Sequence, residues 1–200
     1  MIDEAVAAIR AGGVVVLPTD TVYGLAATAC EPAARDALYR LKGRDEGQPT
    51  ALVAATLDVL FECLPELDER SRRIVRALMP GPFTLIVPNA ARRFAWLCGS
   101  NPLALGVRVP ALTGPGREVL DRVGAVAATS ANLPGGDEPC RLEDVPAALR
   151  AGAAAIVDGG ELPGQPSTVL DFTSSEPRVV RAGAGNAAAA IALVSRLRLR

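Results

Sequence analysis

Two hundred residues, half of them apolar, suffice for one well-buried core, and a formal net charge of −1 excludes a protein that lives mainly on neutralising phosphate backbones. The chain has no histidine, which excludes Ser-His-Asp and Cys-His catalysis and any histidine general base. Cys30, Cys63, Cys98 and Cys140 stand more than 30 residues apart with no CxxC pair, so neither a zinc site nor a disulfide framework is expected, and reduced thiols point to the cytoplasm.

Residues 3–11 read as a helix stopped by Gly12-Gly13, and residues 14–17 as a buried strand ending at Pro18. A helix starts at Pro32 and runs to residue 41 before Gly43, and residues 50–54 form a second apolar strand. Residues 67–79 have the spacing of an amphipathic helix stopped by Pro80-Gly81, with a strand over 83–87. Strands over 105–109 and 125–128 flank a helix at 116–122. Strands at 153–157, 168–172 and 178–180 and an alanine-rich closing helix from Asn186 complete the pattern. Interleaved strands and helices predict an α/β fold, a single-domain twisted mixed sheet flanked by helices over residues 1–200. No run approaches about 18 uncharged apolar residues, and the acidic start Met1-Ile2-Asp3-Glu4 is not a signal peptide, so no membrane is expected.

Twenty of the 21 cationic residues are arginine, and the single lysine is Lys42, in LKGRDEGQP. A chain rich in Ala, Gly, Arg and Pro has exchanged lysine for arginine wherever a generic cation serves. The one that remains is either a leftover surface lysine or marks a place where a compact ammonium is needed, as in phosphate chemistry. Lys42 and Arg44, separated by one glycine at a helix end, can converge on a multiply charged anion, although the spacing is not that of a Walker loop. A strand exit at PTDTVYGL offers the hydroxyls of Thr21 and Tyr23, with Gly24 read as permitting a change of direction. After another apolar strand, ATSAN offers Ser130 and Asn132 among small residues suited to a phosphate-binding turn. Arg108 and Arg181 interrupt apolar strands and are either edge residues or point into an anion site. Ser167 starts a further strand.

In combination and in order, PTDTVYGL, LKGRDEGQP, MPGPFTLIV, LGVRVP, ATSAN, PSTVLDF and VVRAGA resemble the YrdC-like threonylcarbamoyl-AMP synthases, from residue 17 to about 184. The resemblance implies an enzyme that joins L-threonine, bicarbonate or CO2 and ATP into threonylcarbamoyl-adenylate and pyrophosphate, for threonylcarbamoyladenosine modification of tRNA. It implies that Thr21, Arg108, Ala128 and Ser167 hold threonine, with Arg108 on its carboxylate. Lys42, Arg44, Gln48, Ala104, Ser130, Asn132 and Arg181 would serve ATP, and Lys42, Arg44 and Tyr23 the reacting centre. Magnesium would ride mainly on phosphate oxygens and water, with no metal site made by the protein. Downstream partners would be tRNA and tRNA-modification proteins. Two positions depart from the common pattern: Gln48 stands where many members have Lys or Asn, and Val53 where a histidine often sits near threonine. The length resembles the short members that lack an extra C-terminal domain.

Two other readings compete. A double-stranded RNA or tRNA-binding module gains some support from the tail Arg196-Leu197-Arg198-Leu199-Arg200. A carbamoyl-phosphate-using carbamoyltransferase would bring zinc-finger cysteines and further domains that this sequence does not contain.

Overall fold

Residues 1–197 are described in a computed structural model; the last three residues of the arginine-rich tail lie outside them. In chain order the elements are α1 (Ile2–Arg10), β1 (Val15–Pro18), β2 (Tyr23–Thr28), α2 (Pro32–Lys42), β3 (Ala51–Ala54), α3 (Leu57–Cys63), α4 (Glu69–Leu78) and β4 (Phe83–Pro88). There follow β5 (Ala104–Arg108), α5 (Gly114–Val123), β6 (Ala125–Ser130), α6 (Ala147–Gly152), β7 (Ala155–Ile156), β8 (Thr168–Asp171), β9 (Arg178–Arg181) and α7 (Ala187–Leu197). The strands form one sheet in the order β7-β1-β2-β6-β3-β5-β4-β8-β9. It is mixed, as expected: β1–β7, β3–β5 and β4–β8 are parallel and the other pairs antiparallel.

Local chemistry explains the helix limits. Pro32 occupies the first turn of α2, and Gly43, at φ 67°, ends it in the left-handed conformation that glycine tolerates. Asp68 caps α4 by accepting a hydrogen bond from the Ser71 backbone N–H at 2.9 Å, and Ile74, Val75 and Leu78 bury one face of that helix.

Alternation along the central strands sorts the sheet into two faces. Leu52 and Ala54 of β3, Leu85 and Val87 of β4, Leu105 and Val107 of β5, Ala127 of β6 and Leu170 of β8 enter one core with Leu60 of α3, Leu78 of α4 and Val194 of α7. Each fully buried leucine there stabilises the fold by about 1.5–3 kcal/mol. The intervening positions, Ala51 and Val53, Thr84 and Ile86, Ala104, Gly106 and Arg108, Ala128 and Ser130, Val169 and Asp171, all face an open cleft. That second face is the floor of the site.

The segment 18–25 departs from its reading as a strand exit. Residues 19–22 are a turn, and Tyr23–Thr28 is a strand paired with both β1 and β6. Its Gly24-Leu25-Ala26-Ala27 run is poor in the β-branched residues that mark strands, and pairing on both sides overrides that deficit. Gly24 therefore makes no change of direction; a Cβ there would stand 3.1 Å from the Thr129 carbonyl oxygen, so glycine permits close strand packing. Helices α3 and α6 were not expected. Among the described residues, no helix is long and apolar enough to cross a membrane, and all four cysteines are free.

Candidate active site

The cleft is about 480 Å³, within the range of small-molecule sites. Its middle is lined by Gly24, Ala51, Ala104, Gly106 and Ala128, and these minimal side chains are what leave the space open. Cations and hydroxyls stand around this apolar floor. A second hollow, near Glu66 and Arg93, is about 20 Å³ and has room for little more than a water molecule.

Arg108 ends β5, an interior strand, so it is not an edge residue, and it lines the cleft. One terminal nitrogen of its guanidinium donates to Asp20 Oδ1 and, at 2.9 Å, to Thr21 Oγ1. Asp20 Oδ2 accepts from the Ala111 backbone N–H at 2.9 Å, which fixes the carboxylate in turn. The Arg108 Nε is buried without a partner. Burial pulls the guanidinium below its ordinary pKa while Asp20 pushes it back up. Thr21 is itself fully buried, and its hydroxyl contacts Arg108 and Thr19 and is not on the cleft surface.

Arg44 follows the Gly43 turn. Its Nη1 donates to Thr129 Oγ1 at 3.2 Å and its Nη2 to the Pro49 carbonyl at 2.6 Å, while Nε is buried without a partner. Arg181, on the edge strand β9, donates to the Ser167 carbonyl at 2.8 Å and to Ser167 Oγ at 3.2 Å. Ser167 Oγ also lies 2.9 Å from Thr84 Oγ1. Arg44, Arg181, Ser130, Ser167, Ala104 and Ala128 all line the cleft. Among the described residues, neither Arg44 nor Arg181 has a carboxylate within ion-pair distance. Unpaired cations around an apolar floor make an anion-binding field.

Five residues assigned to the site from sequence lie off the cleft lining: Thr21, Lys42, Tyr23, Gln48 and Asn132. Lys42 is only 3% exposed and is not on the cleft surface. Its ammonium donates to the Ser130 carbonyl, to Asn132 Oδ1 at 3.1 Å and to Thr129 Oγ1 at 3.3 Å. Desolvation and the Arg44 charge pull its pKa down to about 8, with Glu138 acting in the opposite direction. A rotatable ammonium can meet several oxygens of one segment in a way that a planar fork cannot, so the lysine is explained without direct contact with the cleft. Tyr23 is fully buried and is not on the cleft surface either. Its hydroxyl donates to Asp158 Oδ1 at 2.9 Å and to the Gly160 carbonyl at 2.8 Å, and it accepts from the Gly159 N–H. Burial foremost, with Asp158, pushes its pKa up to about 12. Gln48 is exposed, outside the cleft lining, and its carbonyl accepts from the Tyr39 hydroxyl.

Asn132 sits beside the site, with Oδ1 accepting from Ser130 Oγ at 2.7 Å. Sequence reasoning gave no role to Asp20, Thr84, Asp171 or Arg178. Asp171, the one acid among the described cleft-lining residues, accepts from Thr173 and, at 2.6 Å, from Arg178. Burial raises its pKa, and those hydrogen bonds more than offset it, leaving the carboxyl below its ordinary value. The alternation Val169-x-Asp171 in PSTVLDF was the available signal for its face.

The sequence model of the family described as Sua5/YciO/YrdC, telomere recombination, matches residues 7–183. The chain belongs to the Sua5/YciO/YrdC family. A relative from Xylella fastidiosa, named threonylcarbamoyl-AMP synthase, is 36% identical over 180 residues, covering 86% of this chain and 94% of its own. The Escherichia coli YciO crystal structure superimposes with a TM-score of 0.80 at 28% identity, covering 92% of this chain and 90% of YciO. Pyrococcus abyssi Sua5 in complex with L-threonine gives a TM-score of 0.82 at 31% identity, covering 91% of this chain and 54% of Sua5. Of the two departures from the family pattern, Val53 falls on the cleft lining and Gln48 does not.

Proposed function

We infer that this chain is an L-threonylcarbamoyladenylate synthase that uses L-threonine, bicarbonate or CO2 and ATP. The observation that carries the reading is the gathering of Arg44, Arg108 and Arg181, from three distant parts of the chain, on one cleft with a bare apolar floor. Relatives from Xylella fastidiosa, Bacillus subtilis and Homo sapiens named threonylcarbamoyl-AMP synthase support it, as does the Sua5 complex with L-threonine.

In this reading Arg108 meets the threonine carboxylate, with Asp20 and Thr21 holding one terminal nitrogen of its guanidinium. Ser167 and Ala128 wall the amino-acid end. Arg44, Arg181, Ser130, Asn132 and the backbone near Ala104 receive ATP, with Gln48 at the margin of that end. Lys42 shapes the 129–132 segment and adds its charge from beneath, and Tyr23 acts through the 158–160 segment that it ties down.

The threonine amine attacks CO2 and loses a proton, giving a carbamate. A carbamate oxygen then attacks the α-phosphorus of ATP, and the bond to the pyrophosphate oxygen breaks. Neither step needs a protein nucleophile, in keeping with a chain that has no histidine. Proximity of the reactants and neutralisation of the charge developing on pyrophosphate supply the rate, the latter from Arg44 and Arg181. No group of three or more His, Cys, Asp or Glu residues suited to a metal occurs among the described residues, and Asp171 is engaged by Arg178 and Thr173. The donor set fits magnesium carried in on the triphosphate. Transfer of the threonylcarbamoyl group to tRNA in the cytoplasm follows as the consuming step.

Pyrophosphate release from ATP by the purified protein tests the reading. Release should require threonine and bicarbonate together. Release indifferent to either, or salt-sensitive RNA binding with no release at all, would overturn it.

A further inference from the structure

We propose that Tyr39 is a positioning residue for the triphosphate end of the cleft, holding Arg44 and the wall formed by Pro49 and Thr50. The proposal rests on the ATP-dependent reading of the same cleft. Tyr39 lies in the last turn of α2 and is 3% exposed. Its hydroxyl donates to the Gln48 carbonyl and accepts from Thr50 Oγ1 at 2.8 Å. Its own carbonyl accepts from the Arg44 backbone N–H at 2.9 Å. The Arg44 guanidinium carbon stands 5.8 Å from the centre of its ring, and that of Arg35 stands 4.8 Å away. One side chain thus touches the beginning and the end of a segment that has no helix or strand of its own.

Arg44 and Arg108 are held by different chemistry. A carboxylate orients Arg108 and cancels much of its charge. Arg44 has neutral partners alone, Thr129 and Pro49, besides the Tyr39 ring. An aromatic face attracts a guanidinium through its quadrupole and adds no negative charge, so Arg44 is oriented while its full charge stays available to phosphate. The Tyr39 hydroxyl, by fixing Gln48 and Thr50, also sets the Pro49 carbonyl that takes the other end of the fork.

The test uses Tyr39→Phe and Tyr39→Leu in the full chain, with ATP affinity read by calorimetry and KM and kcat read by pyrophosphate release. Tyr39→Phe keeps the ring and loses the hydroxyl, and should raise the ATP KM about three-fold. Tyr39→Leu loses both and should raise it about ten-fold or more. The threonine KM should stay within about two-fold of wild type in both, which separates positioning from a general loss of folded enzyme. An unchanged ATP KM and affinity in folded Tyr39→Leu would overturn the proposal while leaving the functional reading intact. Equal loss for both substrates would also overturn it. A wild-type protein that binds no ATP would overturn the functional reading and this proposal with it.

Discussion

Asp20 and Arg108 are 88 positions apart in sequence and form an ion pair in which each side chain is about one-tenth exposed. The pair orients one terminal nitrogen of a guanidinium that lines the cleft. Asp20→Asn preserves shape and removes the charge. It should raise the threonine KM about ten-fold, leave the ATP KM within about two-fold, and lower stability by about 1.5–3 kcal/mol, the usual worth of a charged hydrogen bond. Steady-state kinetics with each substrate varied, beside a denaturant titration, measure both effects. Equal changes for threonine and ATP would show that the pair does not serve the amino-acid end.

Lys42 makes the opposite kind of contact, one ammonium shared among several oxygens of residues 129–132, where β6 ends. Lys42→Ala leaves buried acceptors without a donor, at about 1–3 kcal/mol for each lost partner, and should reduce pyrophosphate release below about 1% of wild type. Lys42→Arg restores the charge without the geometry and should recover a minor fraction, about a tenth. Full activity in Lys42→Arg would contradict the account of why this chain keeps a single lysine.

The same residue sets a pH dependence. Its folded pKa of about 8 lies below the ordinary 10.5, so between those values the unfolded chain binds the extra proton. This group's contribution to stability therefore rises with pH through that window, is complete above about 10.5, and is lost as pH falls through about 8. ATP affinity should move the other way, weakening as the ammonium loses its proton. Bound triphosphate will place the midpoint at or above about 8. ATP affinities taken from pH 7 to about 9.5 check this, with Lys42→Arg as the control that should not titrate there.

Among the described residues, eight of the nine strands, β2 being the exception, and the cleft arginines Arg44, Arg108 and Arg181 were legible in the sequence because each rests on local pattern. Arg108 was visible as a charge among strand apolars, and ATSAN marked the end of β6. The side of the sheet that each polar group faces was not legible. Tyr23 and Lys42 sit in the expected motifs, yet neither reaches the cleft surface, because each is held by partners, Asp158 and Asn132, that lie 135 and 90 residues further on. Asp20 escaped notice for the same reason. Its meaning lies in a residue brought close only by β5 reaching the β1–β2 turn.

Tyr23 should behave as a tether. Removing its hydroxyl in Tyr23→Phe leaves the Gly159 N–H and Asp158, on an exposed segment, each short of one partner. A loss of about 0.5–1.5 kcal/mol is expected. The 158–166 segment continues into Ser167, so the threonine KM should rise a few-fold while kcat changes less. A fall in kcat of about a hundred-fold or more with unchanged stability would instead assign the hydroxyl to the reacting centre.

Gly183 gives the most restrictive test of how Arg181 is seated. A Cβ at this position would lie 2.2 Å from the Pro166 carbonyl oxygen and 2.6 Å from the Ser167 carbonyl carbon. Both neighbours are backbone, so nothing flexible can yield. Gly183→Ala must push the chain after β9 away from Ser167, and the Arg181 bonds to the Ser167 carbonyl and hydroxyl go with it. Because Arg181 is assigned to ATP and Ser167 to threonine, this one methyl group should weaken both substrates together, by about ten-fold each. Asp20→Asn and Tyr39→Leu should each weaken one. Calorimetric affinities for the two substrates across the three variants make the comparison. A Gly183→Ala protein that binds threonine normally would show that Ser167 does not depend on this contact.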